Sequence, residues 1–332
     1  MATPSLARPA APRPPLSHTW REAGPRYGAL TALLLLTLFN IVFTRGFASA
    51  GTLDVLLTQV APVVIVATGM TLVIATGGID LSVGSLMAIG GALAPILFLS
   101  HHTLLSIPAV GIPLAILAAL ALAALLGLGN GVLVTVFRIQ PIIATLILYI
   151  AGRGIAQVMT GGNLQSFRVP AFRFLGLGHV LGLPFQFFLM LAVTLTAAWA
   201  LRATVWGRYV LAAGDSEAAA RLAGVPTDRV KRSVYALSGL LAGLAGLLAI
   251  AVNSASDANT VGLGMELDAI VAVAVGGTPL TGGRASVGGT VIGAFLVQLI
   301  RFTLLSRGVP FAAAQVIDAA IILLAVVAQR RR

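Results

Sequence analysis

Four groups of polar residues stand out in this apolar chain, and each could do a different kind of chemistry. Asp80 sits in Gly77-Gly78-Ile79-Asp80-Leu81-Ser82, with apolar sequence on both sides. A carboxylate at a bilayer centre costs roughly 2.5–3.5 kcal/mol on insertion scales, so Asp80 either lines a polar cavity or caps a helix at the membrane edge. Ser82, two residues on, suits a helix start, where a carboxylate accepts backbone N–H bonds and faces the positive helix end. The alternative has the broken backbone at Gly77 and Gly78 shape a substrate path or gate, and the two readings are compatible. Arg153 and Gln157 lie four apart on one helical face. They read as polar lining of a pathway, as a structural pair, or as an arginine snorkelling to an interface. Glu266 and Asp268 follow Asp257-Ala258-Asn259-Thr260. Acids in a first helical turn complement the helix dipole; the other reading has these acids, with Asn259, recognise hydroxyl groups of a polar ligand.

The fourth group lies between Arg202 and Arg232, which holds six of the 21 basic residues and three of the ten acids. Gly214-Asp215-Ser216-Glu217 is a helix-start pattern with acids in the first turn, and Gly224 followed by Pro226 is a stop signal. Between them the sequence predicts a short Ala-rich helix of about two turns, running through Ala218 and carrying Arg221 on its surface. It reads either as a connector or as a helix that docks into a cleft of a cytoplasmic partner.

Several chemistries are excluded. The only lysine, Lys231, follows Val230, so there is no Gly-Lys-Ser/Thr phosphate-binding loop and no ATP hydrolysis by that route. The histidines His18, His101, His102 and His179 show no metal spacing, and no metal site is predicted. Cysteine is absent, which removes disulfides, iron–sulfur clusters and thiolate metal sites. Without a nucleophile–base pair or a metal cluster, a membrane enzyme is disfavoured.

The elements that must position these residues follow from composition. The 332 residues are 58% hydrophobic and 9% charged, with a mean hydropathy of +1.01. A soluble domain is about a quarter charged, so the chain is read as an all-α, polytopic integral membrane protein; its apolar runs do not alternate as barrel strands do. Ten helices are predicted, near 28–44, 54–76, 80–100, 108–137, 139–160, 183–202, 233–252, 265–280, 285–304 and 311–328. The fourth has candidate irregular points at Pro113 and at Gly127 to Gly131, and the eighth is short. The net charge of +11 is spread over short loops, a topology signal and not a nucleic-acid surface. With the N-terminus inside, fifteen basic residues fall inside, among them Arg138, Arg284 and Arg330 to Arg332, against Arg45, Arg168, Arg173, Arg301 and Arg307 outside. Both termini are then cytoplasmic. Residues 1–27, which lack a signal-peptide pattern, form a tail. Residues 28–328 form a single transmembrane domain with a cytoplasmic loop at about 203–232, and residues 329–332 form a basic tail. The stretches Ala75 to Ser85 and Ala274 to Arg284 echo each other, as paired helix breaks do in transporters with internal repeats.

The chain resembles the permease subunits of bacterial ATP-binding-cassette sugar importers, the ribose permease family. The matching pieces are Ala75 to Ser85, Gln140 to Leu146, Arg153-Gly154, Gly207-Arg208-Tyr209, Ala220 to Gly224, Glu266 to Ile270 and Gly276 to Arg284, in order over residues 54 to 325. Ile139 to Leu148, Ala151 to Gln157 and Ala258-Asn259 look most like the galactofuranose permease type, whereas Gly276-Gly277-Thr278-Pro279-Leu280 has the ribose-like form. The resemblance implies a monosaccharide importer of the bacterial inner membrane. It implies a second permease copy or paralogue, a cytoplasmic subunit carrying ATP and Mg, and a periplasmic sugar-binding protein, with no cofactor in this chain. It also implies that Gly214, Asp215, Glu217, Ala218, Arg221 and Gly224 form the coupling loop, and that Gly77, Gly78, Asp80 and Ser82 lie near the pathway. The competing class is an ion-coupled secondary transporter, for which only Asp80 and Asp318 are near candidates.

Overall fold

The computed structural model describes residues 17–99 and 107–310, with only 312, 313, 316, 317 and 320 beyond them. The chain is helical almost throughout. At its centre stand α2 (Ala50–Ala75), α3 (Val83–Phe98), α4 (Pro108–Thr135) and α10 (Thr227–Asn253), packed on one another. Around them lie α1 (Ser17–Phe43), α5 (Pro141–Thr160), α6 (Pro170–Leu177), α7 (Phe185–Ala203), α8 (Val205–Asp215), α9 (Glu217–Leu222), α11 (Met265–Val275) and α12 (Val287–Ser306).

Apolar helices gain nothing from leaving lipid for one another unless their backbones approach closely, so small residues mark the contacts. Helix α4 buries Ala115, Ala119, Ala123, Gly127 and Gly131 at a strict spacing of four. This stripe meets Gly239 and Gly243 of α10: a methyl group on Gly127 would collide with the Tyr235 carbonyl, and one on Gly239 with the Ala123 carbonyl. Helix α4 is therefore continuous, and the irregular points expected at Pro113 and at Gly127 to Gly131 are absent. Gly127 and Gly131 serve close packing and do not break the helix. Outward faces are apolar, as at Ile143, Ile147 and Ile150 of α5.

Among the described residues, six helices are long and apolar enough to cross a membrane: α2, α4, α5, α7, α10 and α12. Gly28–Phe43 and Val83–Phe98 are shorter apolar helices. The eighth predicted helix, 265–280, coincides with α11 and is short, as expected. Helix α11 has 11 residues, about 16 Å, against the roughly 20 residues a span needs. An irregular stretch, 254–264, leads into it. Helix α1 starts at Ser17, eleven residues before the predicted span and inside the predicted tail. The tenth predicted helix lies mostly outside the described residues, as do Asp318 and the basic tail 329–332; the few described positions within it are helical.

Two elements were not anticipated. Helix α6 lies against α10, where Gly176 meets the backbone of Ala251 and Val252 and Phe172 stacks with Phe98 and Phe167. Helix α8 precedes the predicted Ala-rich helix. Two short antiparallel ribbons complete the fold. One pairs β1 (Gln165–Ser166) with β4 (Ala255–Ser256), the other β2 (His179–Val180) with β3 (Leu183–Pro184).

Candidate functional site

The two echoing glycine-rich stretches close their helices identically. In α2, the Gly77 N–H donates to the Ile74 carbonyl at 2.9 Å and the Gly78 N–H to the Val73 carbonyl at 3.2 Å. In α11, the Gly277 N–H donates to Ala274 at 3.0 Å and the Thr278 N–H to Val273 at 3.2 Å. Gly77 and Gly277 have φ of 79° and 84°, the left-handed conformation this helix stop requires and glycine adopts without strain. The Gly77 turn lies beside a further turn of the later stretch, Pro279 to Gly283, with the Gly283 N–H donating to the Ala75 carbonyl at 3.1 Å. The C-terminal end of α8 lands on both. Gly214 leaves no room for a methyl group between the Ala75 carbonyl and the Gly283 N–H, and one on Gly283 would come 3.0 Å from Asp215 Cα. Gly214 thus bridges two segments that are 139 and 69 residues from it in sequence, on either side.

Helix α9 hangs beyond this junction. Ser216 caps it, accepting from the Ala219 N–H at 3.3 Å, so of the two acids expected in its first turn only Glu217 is there; Asp215 closes α8. Glu217 accepts from Arg221 at 2.8 Å and from Lys231, and faces Arg138 at 3.5 Å. Asp228 pairs with Arg221 and with Arg138. Burial alone would raise the Glu217 carboxyl, but the Lys231 and Arg221 bonds and charges outweigh it and hold it below its ordinary value. Five charges thus tie α9 to the start of α10 and to the turn before α5. Ala218 and Leu222 face outward, Leu222 at 92% exposure, and Gly224, with φ of 83°, ends the helix.

The other predicted residues sit in the bundle. Asp80 is fully buried. One carboxylate oxygen accepts from the Ser82 N–H at 3.0 Å and the Ser82 hydroxyl at 2.6 Å; the other accepts from the Ser238 hydroxyl of α10 at 2.8 Å. Asn130 of α4 donates to Ser82 Oγ at 2.8 Å, and Thr145 of α5 accepts from the Leu81 N–H at 3.1 Å. Asp80 therefore joins the start of α3 to two other helices and, through the adjacent turn, to α5. Arg153 donates to the carbonyls of Ala258 and Val261 at 2.9 and 2.6 Å, and Gln157 to Asn259 at 2.8 Å. This pair pins the irregular 254–264 stretch. Glu266 is buried beside Gly84, where a methyl group would also strike the Gly262 carbonyl.

Asp268 stands apart from these. It makes a two-pronged pair with Arg301 of α12 at 2.8 and 3.0 Å. Arg301 thus sits within α12 and pairs inside the helix bundle. The structure gathers Asp80 with Ser82, and Arg153 with Gln157, Asn259 and Glu266, but leaves Asp268 on another face. Sequence reading missed Ser238, Arg301, Gln59 and Gln298 and weighed Asn130 only as a possible irregularity; a lone asparagine in a 28-residue apolar helix was its one signal. Among the described residues no group of three or more His, Cys, Asp or Glu could hold a metal ion.

Comparison with known proteins fits this arrangement of membrane helices. The family described as branched-chain amino acid transport system, permease component, matches residues 52–326. The galactofuranose transporter permease protein YtfT of Escherichia coli K12 is 39% identical, over 94% of this chain and 91% of its own length. The ribose import permease protein RbsC of the same strain is 39% identical over 92% of this chain and 93% of its own. The fructose import permease protein FruF of Bifidobacterium longum is 37% identical over 85% and 81%. No solved structure matches the chain. With the match covering most of its length, the chain belongs to the branched-chain amino acid transport system permease family, as a membrane permease component and not an enzyme.

Proposed function

We propose that this chain is the membrane-spanning subunit of an ATP-driven importer of a monosaccharide, with galactofuranose favoured and ribose or another pentose or hexose next. The observation that carries the coupling is the seat of α8 and α9. Gly214 rests on both glycine-rich turns, while α9 exposes Ala218 and Leu222 beside a charged cluster. A partner that moves α9 therefore pushes the end of α2 and the Gly282–Gly283 segment before α12 together, through backbone contacts that leave no slack. ATP and Mg reside on that partner, a cytoplasmic ATP-binding subunit. A periplasmic sugar-binding protein delivers the ligand, and a second permease copy completes the path across the bacterial inner membrane. Rigid-body movement of such packed helices is how a pathway alternates between two faces. The α8–α9 end is cytoplasmic in this reading, in agreement with the basic residues gathered there.

The relatives carry names that span several sugars, and this supports the class more strongly than any one sugar. An ion-coupled mechanism needs an acid that water can reach; Asp80 is fully buried with both its oxygens hydrogen-bonded. The test is ATP hydrolysis and sugar uptake by the permease with its ATP-binding and sugar-binding partners in lipid vesicles, across galactofuranose, ribose, fructose and arabinose. Stimulation by one loaded binding protein supports the reading. Uptake that ignores ATP and collapses with an uncoupler contradicts it.

A further inference from the structure

A groove of about 510 Å³ opens between α2, α11 and α12. Its lining is largely apolar, and Gln59, Asp268, Gln298, Arg301 and Ser306 interrupt it. Gln298 of α12 is 8% exposed and donates to Gln59 of α2 at 2.7 Å. One helical turn further along α12, Arg301 holds Asp268 at the start of α11. Phe302 lines the same groove. Gln59 lies nine residues into α2, roughly 14 Å along it, and Phe302 stacks against Phe47 just before α2. The groove is therefore in the half of the bundle remote from the Gly77 and Gly283 turns.

An amide pair and an ion pair facing acyl chains would be costly. Here they occupy an open groove, so this face meets water or a polar ligand. Among the described residues the charged groups lining the groove are Asp268 and Arg301, which are paired with each other, and a paired charge is a poor anchor for an ionic solute. Two amides offer donors and acceptors, and Phe302 offers an apolar ring face. That set fits a neutral polyhydroxylated ligand.

Resting on the importer reading above, we propose that the groove lined by Gln59, Asp268, Gln298, Arg301 and Phe302 is the wall of the sugar path on the side from which the ligand enters. The absence of cysteine from the chain gives a direct test. Gln59→Cys and, as a lipid-facing control on α5, Ile147→Cys are made in the full complex in vesicles and treated with a charged, membrane-impermeant thiol reagent. The groove position should react at least about tenfold faster than the control, because only a water-facing thiol forms the reactive thiolate. Equal rates overturn the proposal. In parallel, Gln298→Leu and Gln59→Leu should each lower uptake of the transported sugar about tenfold while ATP hydrolysis stimulated by the loaded binding protein stays within about twofold. Unchanged uptake in both overturns it as well. Failure of the unaltered complex to import any of the four sugars would instead sink the importer reading, whatever the thiol rates show.

Discussion

Asp80 is held by Ser82 and Ser238, and Ser82 in turn by Asn130, so removing the carboxylate leaves buried hydroxyl and N–H donors with nothing to bond. Asp80→Ala should lower stability by about 2–3 kcal/mol, the range for a charge-assisted bond lost in a buried site, read as a fall in unfolding temperature of the detergent-purified protein. Ser238→Ala should cost less, about 1 kcal/mol, because one neutral partner is lost while Ser82 still bonds the carboxylate. Glu217 carries a pH signature. Its carboxyl is held below its ordinary value, so the protonated form is disfavoured in the folded loop. Its contribution is therefore fully present above the ordinary glutamate range and is lost as pH falls through the lowered value. The protection factors of the α9 amides, meaning exchange corrected for its intrinsic pH dependence, should stay high at neutral pH and fall in acid, and Glu217→Gln should remove that dependence. Asp80 and Arg153 were legible in the sequence because a charge among apolar residues is conspicuous. Ser238 was not: a serine in an apolar helix is usually satisfied by its own backbone, and its partner here is 158 positions away.

At the scale of elements, the long apolar helices were legible from hydropathy and their breaks from glycine and proline. The exceptions have physical causes. Gly127 and Gly131 look like helix breakers in sequence, yet with small residues at every fourth position of α4 they are the contact surface for α10. Gly127→Val should drive a branched side chain into the Tyr235 carbonyl and cost about 1–3 kcal/mol or more, as overpacking does, visible as reduced yield of folded protein in membranes. Gly129, with open space beside it, should accept alanine without loss. Helices α6 and α8 went unread because eight and eleven residues give too little periodicity. What fixes α6 is tertiary, the aromatic cluster of Phe98, Phe167 and Phe172. The likeness of the two glycine-rich stretches was visible in sequence as an echo. That they end their helices with the same bonds and then touch each other was not, since 200 residues separate them.

At the scale of the whole molecule, α8 and α9 lie at one end of the bundle and the Gln59–Arg301 groove in the opposite half. Helices α2 and α12 reach both. Gly214 rests on the end of α2 and on Gly283, four residues before α12, and each of these helices contributes side chains to the groove. A force applied at α9 therefore has a short, fully packed route to the residues proposed to face the sugar. The most direct measurement is ATP-driven sugar uptake by the reconstituted complex, with and without Gly214→Ala. The account predicts that the unaltered complex imports one of the tested sugars only with ATP. It predicts that Gly214→Ala still assembles with the ATP-binding subunit but imports about tenfold more slowly, because the added methyl group separates α8 from the two turns. Uptake at an unchanged rate in that variant, or uptake without ATP, would contradict it.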